Sequence, residues 1–183
     1  MHRPTRSARG FTLIELMITL AIAGILTTIG VPSMARLLAY VQDSTAETSI
    51  AGSLRHARTF AVMHETRVLV CPSADGHHCE ATGDWEHGWI VAQDRDHDGQ
   101  PDAAIPIIAA HATLHVGARM ITSSGREEVT FHPNGGAAGS NATFTICHAR
   151  EHDGKSVVVS NTGRVRVMSP DSARLQACLA GVP

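Results

Sequence analysis

The chain has 183 residues, with 15 Lys+Arg against 17 Asp+Glu for a formal net charge of −2, 12 His and four Cys. That length holds one domain with its own core beside a terminal segment, and that charge excludes recruitment of nucleic acid by a global basic field, so any such contact is local. The histidines are scattered, and no nucleophile motif, phosphate loop or paired-carboxylate arrangement stands out, so neither an enzyme nor a resident cofactor or metal is expected.

Arg3, Arg6 and Arg9 form a basic leader ahead of Gly10. From Phe11 to Val31 the chain is apolar, with Glu15 as its sole ionisable residue. That stretch, at about 1.5 Å per residue, reaches roughly 30 Å, the thickness of a bilayer core. The arginines belong on the cytoplasmic side and everything after Pro32 outside. A cleaved secretory signal is the plain alternative, but no small-residue cleavage site closes the far end of the apolar run. A carboxylate within such a run is costly unless partnered.

The leader, the Gly10–Phe11 junction, Glu15 and Pro32 together resemble the type IV pilin signal. The resemblance implies that a prepilin peptidase removes residues 1–10, that Phe11 becomes an N-methylated first residue, and that Glu15 pairs with the terminal amine of a neighbouring subunit. Loss of the leader leaves 12 Lys+Arg against 17 Asp+Glu, a net charge of −5. Residues 11–31 then form the transmembrane segment, residues 32–64 an amphipathic continuation of the same helix, and residues 65–183 a globular domain.

Along 32–64, Met34, Leu37, Leu38, Val41, Ile50, Leu54, Ala57 and Ala61 recur at three- and four-residue intervals, with a gap near Asp43–Thr45. This stripe is expected to pack on the domain's own sheet, with Gly30 and Pro32 loosening the helix at the membrane exit. After Glu65 the pattern changes to short apolar runs between turn residues. Strands are expected at 67–71, 88–93, 105–109, 113–116, 128–132, 142–147, 156–160 and 164–168. In Ala142–Cys147, Ala142, Phe144 and Ile146 share one face, and Thr143 and Thr145 the other. Asn134–Ser140 reads as a Gly-rich loop and Ser160–Gly163 as a hairpin turn. The fold class is α+β: one long N-terminal helix packed on a strand-rich antiparallel domain.

Four cysteines in an exported domain suit two disulfides, for which three pairings exist. Cys71–Cys79, closing a tight loop, and Cys147–Cys178, tying the C-terminal tail to a strand, are favoured. A zinc site from Cys71, His77, His78 and Cys79 matches no common ligand spacing. Asp94-Arg95-Asp96-His97-Asp98-Gly99 has the acidic spacing that opens a calcium loop, yet position twelve is Ile105 rather than a closing glutamate. A polar turn between strands explains the same residues.

Val68-Leu69-Val70-Cys71-Pro72-Ser73, Trp85, Gly88-Trp89-Ile90-Val91, the aspartate-rich turn, Phe131-His132-Pro133-Asn134-Gly135 and Gly163-Arg164-Val165-Arg166 resemble the GspH/FimT-type minor pilins and pseudopilins. FimT-like minor pilins are the branch this chain most resembles. Alternate strand residues share a face, so Arg164 and Arg166 project together about 6.6 Å apart, a pitch that follows neighbouring phosphates of one strand. Val165 and Val167 point the other way, into the core. In FimT-like proteins such a Gly-Arg-x-Arg motif is implicated in DNA capture during natural transformation, which implies Arg164 and Arg166 as DNA contacts, with Lys155 and Arg174 extending the patch. Arginines on an exposed edge strand also discourage aggregation without binding anything. The expected partners are other pilin subunits, prepilin peptidase, DNA and the inner membrane. The expected place is a single-pass inner-membrane protein with a periplasmic domain, incorporated into a pilus. A structural pseudopilin of a type II secretion system is the alternative, and adhesion through the acidic 75–102 region a third class.

Overall fold

The computed structural model describes residues 12–114, 117–123, 126–148 and 153–181, with backbone alone at 28, 29, 31–33 and 35–44. Gly10 and Phe11, where cleavage and methylation are expected, lie outside the described residues. So do His115 and Val116 of the expected strand 113–116. The chain divides into two compact units, one ending at Leu38 and one starting at Ala39.

In the first unit, helix α1 (Leu13–Met63) begins, and its backbone stays helical through Gly30 and Pro32. Thr12 and Glu15 close its start reciprocally. The Glu15 carboxylate accepts from the Thr12 N–H at 3.3 Å, and the Glu15 N–H donates to the Thr12 hydroxyl at 3.4 Å. This capping box satisfies backbone donors that a helix start otherwise leaves orphaned. Leu13, Ile14, Leu16, Met17, Ile18, Leu20, Ile22, Ile25 and Leu26 are each more than half exposed. Among the described residues, no helix is long and apolar enough to cross a membrane.

In the second unit, the described residues form eight strands in two antiparallel sheets. The first has the order β3-β2-β1-β5, with β1 Val68–Pro72, β2 Gly88–Gln93, β3 Ala109–Ala112 and β5 Val129–Phe131. The second has the order β4-β6-β7-β8, with β4 Ala118–Thr122, β6 Ala142–His148, β7 Gly154–Val159 and β8 Val165–Met168. A short helix, α2 (Ser172–Ala180), packs on β6 and β4. The C-terminal half of α1 supplies Ile50, Leu54, Ala57 and Ala61, all fully buried, to a core shared with Val70, Trp89, Val91, Phe131, Phe144, Ile146 and Val157. Each large side chain buried there contributes about 1.5–3 kcal/mol. Trp85 meets Phe144 edge-to-face at 4.8 Å and donates its indole N–H to the Arg126 carbonyl at 2.9 Å, so its polar atom is not stranded. Leu69 and Cys71 on the opposite face of β1 join Ile90 and Ala92 in a second cluster, which explains why β1 lacks polar alternation.

Several expectations need correction. The expected strand 105–109 is displaced: Pro106 has no N–H to give a ladder, and pairing starts at Ala109 opposite Val91. Thr113 and Leu114 are not strand; the Leu114 N–H instead donates to the Glu86 carbonyl at 2.8 Å. β4 and α2 were not foreseen, although Asp171 caps α2 at one end and left-handed Gly181 at the other. Thr145 keeps the face opposite Phe144 and Ile146, as expected, and is buried there: α2 packs on β6, and Ser156 Oγ lies 3.1 Å from its hydroxyl.

A candidate nucleic-acid interface on the second sheet

The β7–β8 turn is held from three directions. Its own hydrogen bonds run from the Gly163 N–H to the Ser160 carbonyl at 2.7 Å and from the Ser160 N–H to the Arg164 carbonyl at 3.1 Å. Gly163 has φ 73°, and any Cβ there would overlap the Gly135 carbonyl oxygen. The adjoining loop fastens the turn through the Ala137 N–H and the Asn161 carbonyl at 2.9 Å. Arg58, on α1, donates to the Gly135 carbonyl at 3.0 Å and the Thr162 carbonyl at 3.4 Å, bridging both loops. Sequence reasoning missed Arg58. Its place in the helix, beside the buried Ala57, was the available signal.

The turn delivers Arg164 and Arg166 to the end of an edge strand, and both are exposed. Among the described residues, neither guanidinium has a hydrogen-bond or ion-pair partner. Arg166 stands opposite Val158 and, across β7, Thr143, so it shares their face. On that face lies a groove of about 430 Å³, with Thr143, Ser156, Val158 and Met168 forming its floor and Pro170, Asp171 and Arg174 its wall. Arg174 is exposed and pairs with Asp171 at 3.2 Å. The disulfide Cys147–Cys178 anchors α2 to β6, and so fixes this wall.

Lys155 does not join them. It pairs with Ile146, and it alternates in phase with the core residues Val157 and Val159, so it belongs to the opposite face from Arg166. Val165 packs on the core as expected, but Val167, expected to do the same, is 39% exposed on this edge strand.

The second disulfide, Cys71–Cys79, closes its loop, and no free cysteine remains, so the thiolates a zinc site needs are absent. Inside the loop, Asp75 accepts hydrogen bonds from the His78 ring at 2.8 Å and from the backbone N–H groups of His77 and His78 at 2.7 and 2.9 Å. The bond to the His78 side chain is the main cause that holds the Asp75 carboxyl well below the usual carboxylate range.

Residues 46–163, more than half of the chain, match the family model described as type II transport protein GspH. The chain belongs to the GspH family. Residues 5–31 match the prokaryotic N-terminal methylation motif, so this GspH-family chain also carries the terminal signal of methylated pilins. Together the two matches make it a minor pilin or pseudopilin. The fold is shared with the type IV minor pilin FimU of Pseudomonas aeruginosa (TM-score 0.60, 21% identity, 73% of this chain and 96% of that one). It is also shared with the minor pseudopilin EpsH of the Vibrio cholerae type 2 secretion system (TM-score 0.53, 13% identity, 72% and 99%). No curated protein matches this chain.

Proposed function

We propose that this GspH-family chain is a minor pilin of a type IV pilus that holds DNA for uptake in natural transformation, with Arg164 and Arg166 as its phosphate contacts. The observation that carries the reading is the pair of exposed guanidiniums, without protein partners among the described residues, on a braced edge strand and its turn. Arginines are intrinsically suited to phosphate, which they grip with two parallel hydrogen bonds. Arg174 extends the cationic surface along the same face. Contact with phosphates alone reads no sequence, which suits uptake of any DNA. Weak affinity per subunit is sufficient where several copies act together.

In this reading the leader is cut after Gly10 and Phe11 is methylated. Residues 11–31 lie in the inner membrane with the domain in the periplasm until assembly into the pilus. The exposed apolar side chains from Leu13 to Leu26 support that placement, since they have no cover in the monomer. Glu15 would exchange its long bonds to Thr12 for a neighbouring subunit's terminal amine, which relieves a carboxylate in hydrocarbon. The reading assigns no catalysis.

The test is a DNA titration of residues from about Ser33 onward at several salt concentrations. Two phosphate contacts predict a slope of log K against log salt of about −1.4 to −1.8. Arg164→Ala with Arg166→Ala should abolish binding without lowering the melting temperature, because neither side chain supports the fold. Unchanged binding by that variant rejects the assignment. The family description favours a second reading, a pseudopilin in a type II secretion system that binds no nucleic acid. Absence of wild-type binding at low salt would select it.

A further inference from the structure

Asp94, Asp96 and Asp98 each bring a carboxylate oxygen within 4.8 Å of the other two. They alternate along the loop leaving β2, where left-handed backbone at His97 (φ 67°) and Gly99 (φ 80°) curls the chain so that alternate side chains converge. Asp94 is fully buried, and neither of its carboxylate oxygens has a hydrogen-bond partner. Oδ2 lies 2.9 Å from Arg67 Nε, an ion pair on one side of the carboxylate. Oδ1 is left without a partner, a condition that buried polar atoms rarely tolerate. Asp96 and Asp98 are exposed and leave the other side open.

We propose that Asp94, Asp96 and Asp98 form a calcium site. Three carboxylates beside one guanidinium leave a local charge of about −2, which a divalent cation neutralises. The donors are all hard oxygens, which select calcium or magnesium over zinc. Magnesium demands near-ideal octahedral geometry and sheds water reluctantly, whereas calcium accepts an irregular, partly hydrated shell of six to eight oxygens. The surrounding hydrogen bonds brace this arrangement. The Gln100 N–H donates to Asp98 Oδ1 at 2.7 Å, leaving the other Asp98 oxygen for the ion. The Arg95 N–H donates to both Asp102 carboxylate oxygens at 3.2 and 3.3 Å and clamps the loop from behind. An open site of this kind binds in the range of about 10⁻⁴–10⁻³ M, as extracellular calcium modules do. Asp94 would then sit between the ion and Arg67, at the junction between α1 and β1.

The test uses the full chain in detergent micelles, stripped with chelator and titrated with calcium chloride by calorimetry and by thermal melting. One ion per chain and a raised melting temperature are expected. Asp96→Asn with Asp98→Asn, both exposed, should weaken binding by at least about tenfold while leaving the calcium-free melting temperature in place. Asp94→Asn is a poor probe because it also breaks the pair with Arg67. No heat and no melting shift up to about 10 mM calcium overturns the proposal. So does undiminished binding by the double variant, or an equal response to magnesium.

Discussion

Gly163 and Arg58 show how single residues aim the proposed DNA contact. A side chain at Gly163 would displace the Gly135 carbonyl, and with it the turn that presents Arg164. His111 is a second position where local surroundings set chemistry. Its ring stacks on Trp89 at 5.0 Å, and Nε2 lies 2.9 Å from Ser53 Oγ, which also accepts the Trp89 indole N–H at 2.9 Å. Burial lowers its pKa from the ordinary 6.5. Below about pH 6.5 the unfolded chain therefore binds a proton that the folded chain resists, so His111 favours the folded state less as pH falls. The loss runs from that pH down to the depressed folded value, then levels. Urea midpoints should drop between pH 7 and pH 5, and His111→Gln should flatten that drop. Parallel pH curves for the two proteins would contradict the account.

Elements depend on cover supplied from elsewhere. α2 is a nine-residue helix, too short to persist alone in water. The bond between Cys147 and Cys178, 31 residues apart in sequence, removes more unfolded-state entropy than that between Cys71 and Cys79, eight apart. By the loop-entropy relation, replacing the first pair with serine should cost about 4 kcal/mol and replacing the second about 2.5 kcal/mol. Denaturant midpoints of the two double variants check the order; a reversed order would refute it. Freeing α2 also removes Arg174 from the groove wall while leaving Arg164 on the turn and Arg166 on β8. The strands β1, β2 and β6 were legible because apolar runs bounded by turn residues carry their own signal. β4 was not: Arg119 interrupts its short apolar pattern, and its pairing with β6 supplies the strand.

The two units differ in the chemistry of their surfaces. One carries bare apolar side chains on its helix, the other belongs to a chain of formal net charge −2, so the proposed DNA contact is a local patch. Mass spectrometry of native material should find a terminus at Phe11 carrying one added methyl group. An intact Met1, or a start beyond Val31, would remove the filament reading. With normal processing, Glu15→Ala should lower incorporation into filaments while the domain's melting temperature holds.

The sequence by itself determined the pilin-class terminus, the α+β order and the Arg-x-Arg pair, because hydropathy, strand alternation and a glycine turn are written in neighbouring residues. The tertiary structure decided which cations share a face. Lys155 lies away from Arg166 because β7 pairs with β6 in one register, and Arg58 braces the turn through bonds to residues 77 and 104 positions away. It also buried Thr145 under α2 and left an Asp94 oxygen without a donor. Such contacts join segments remote in the chain, and no local pattern encodes which of them meet.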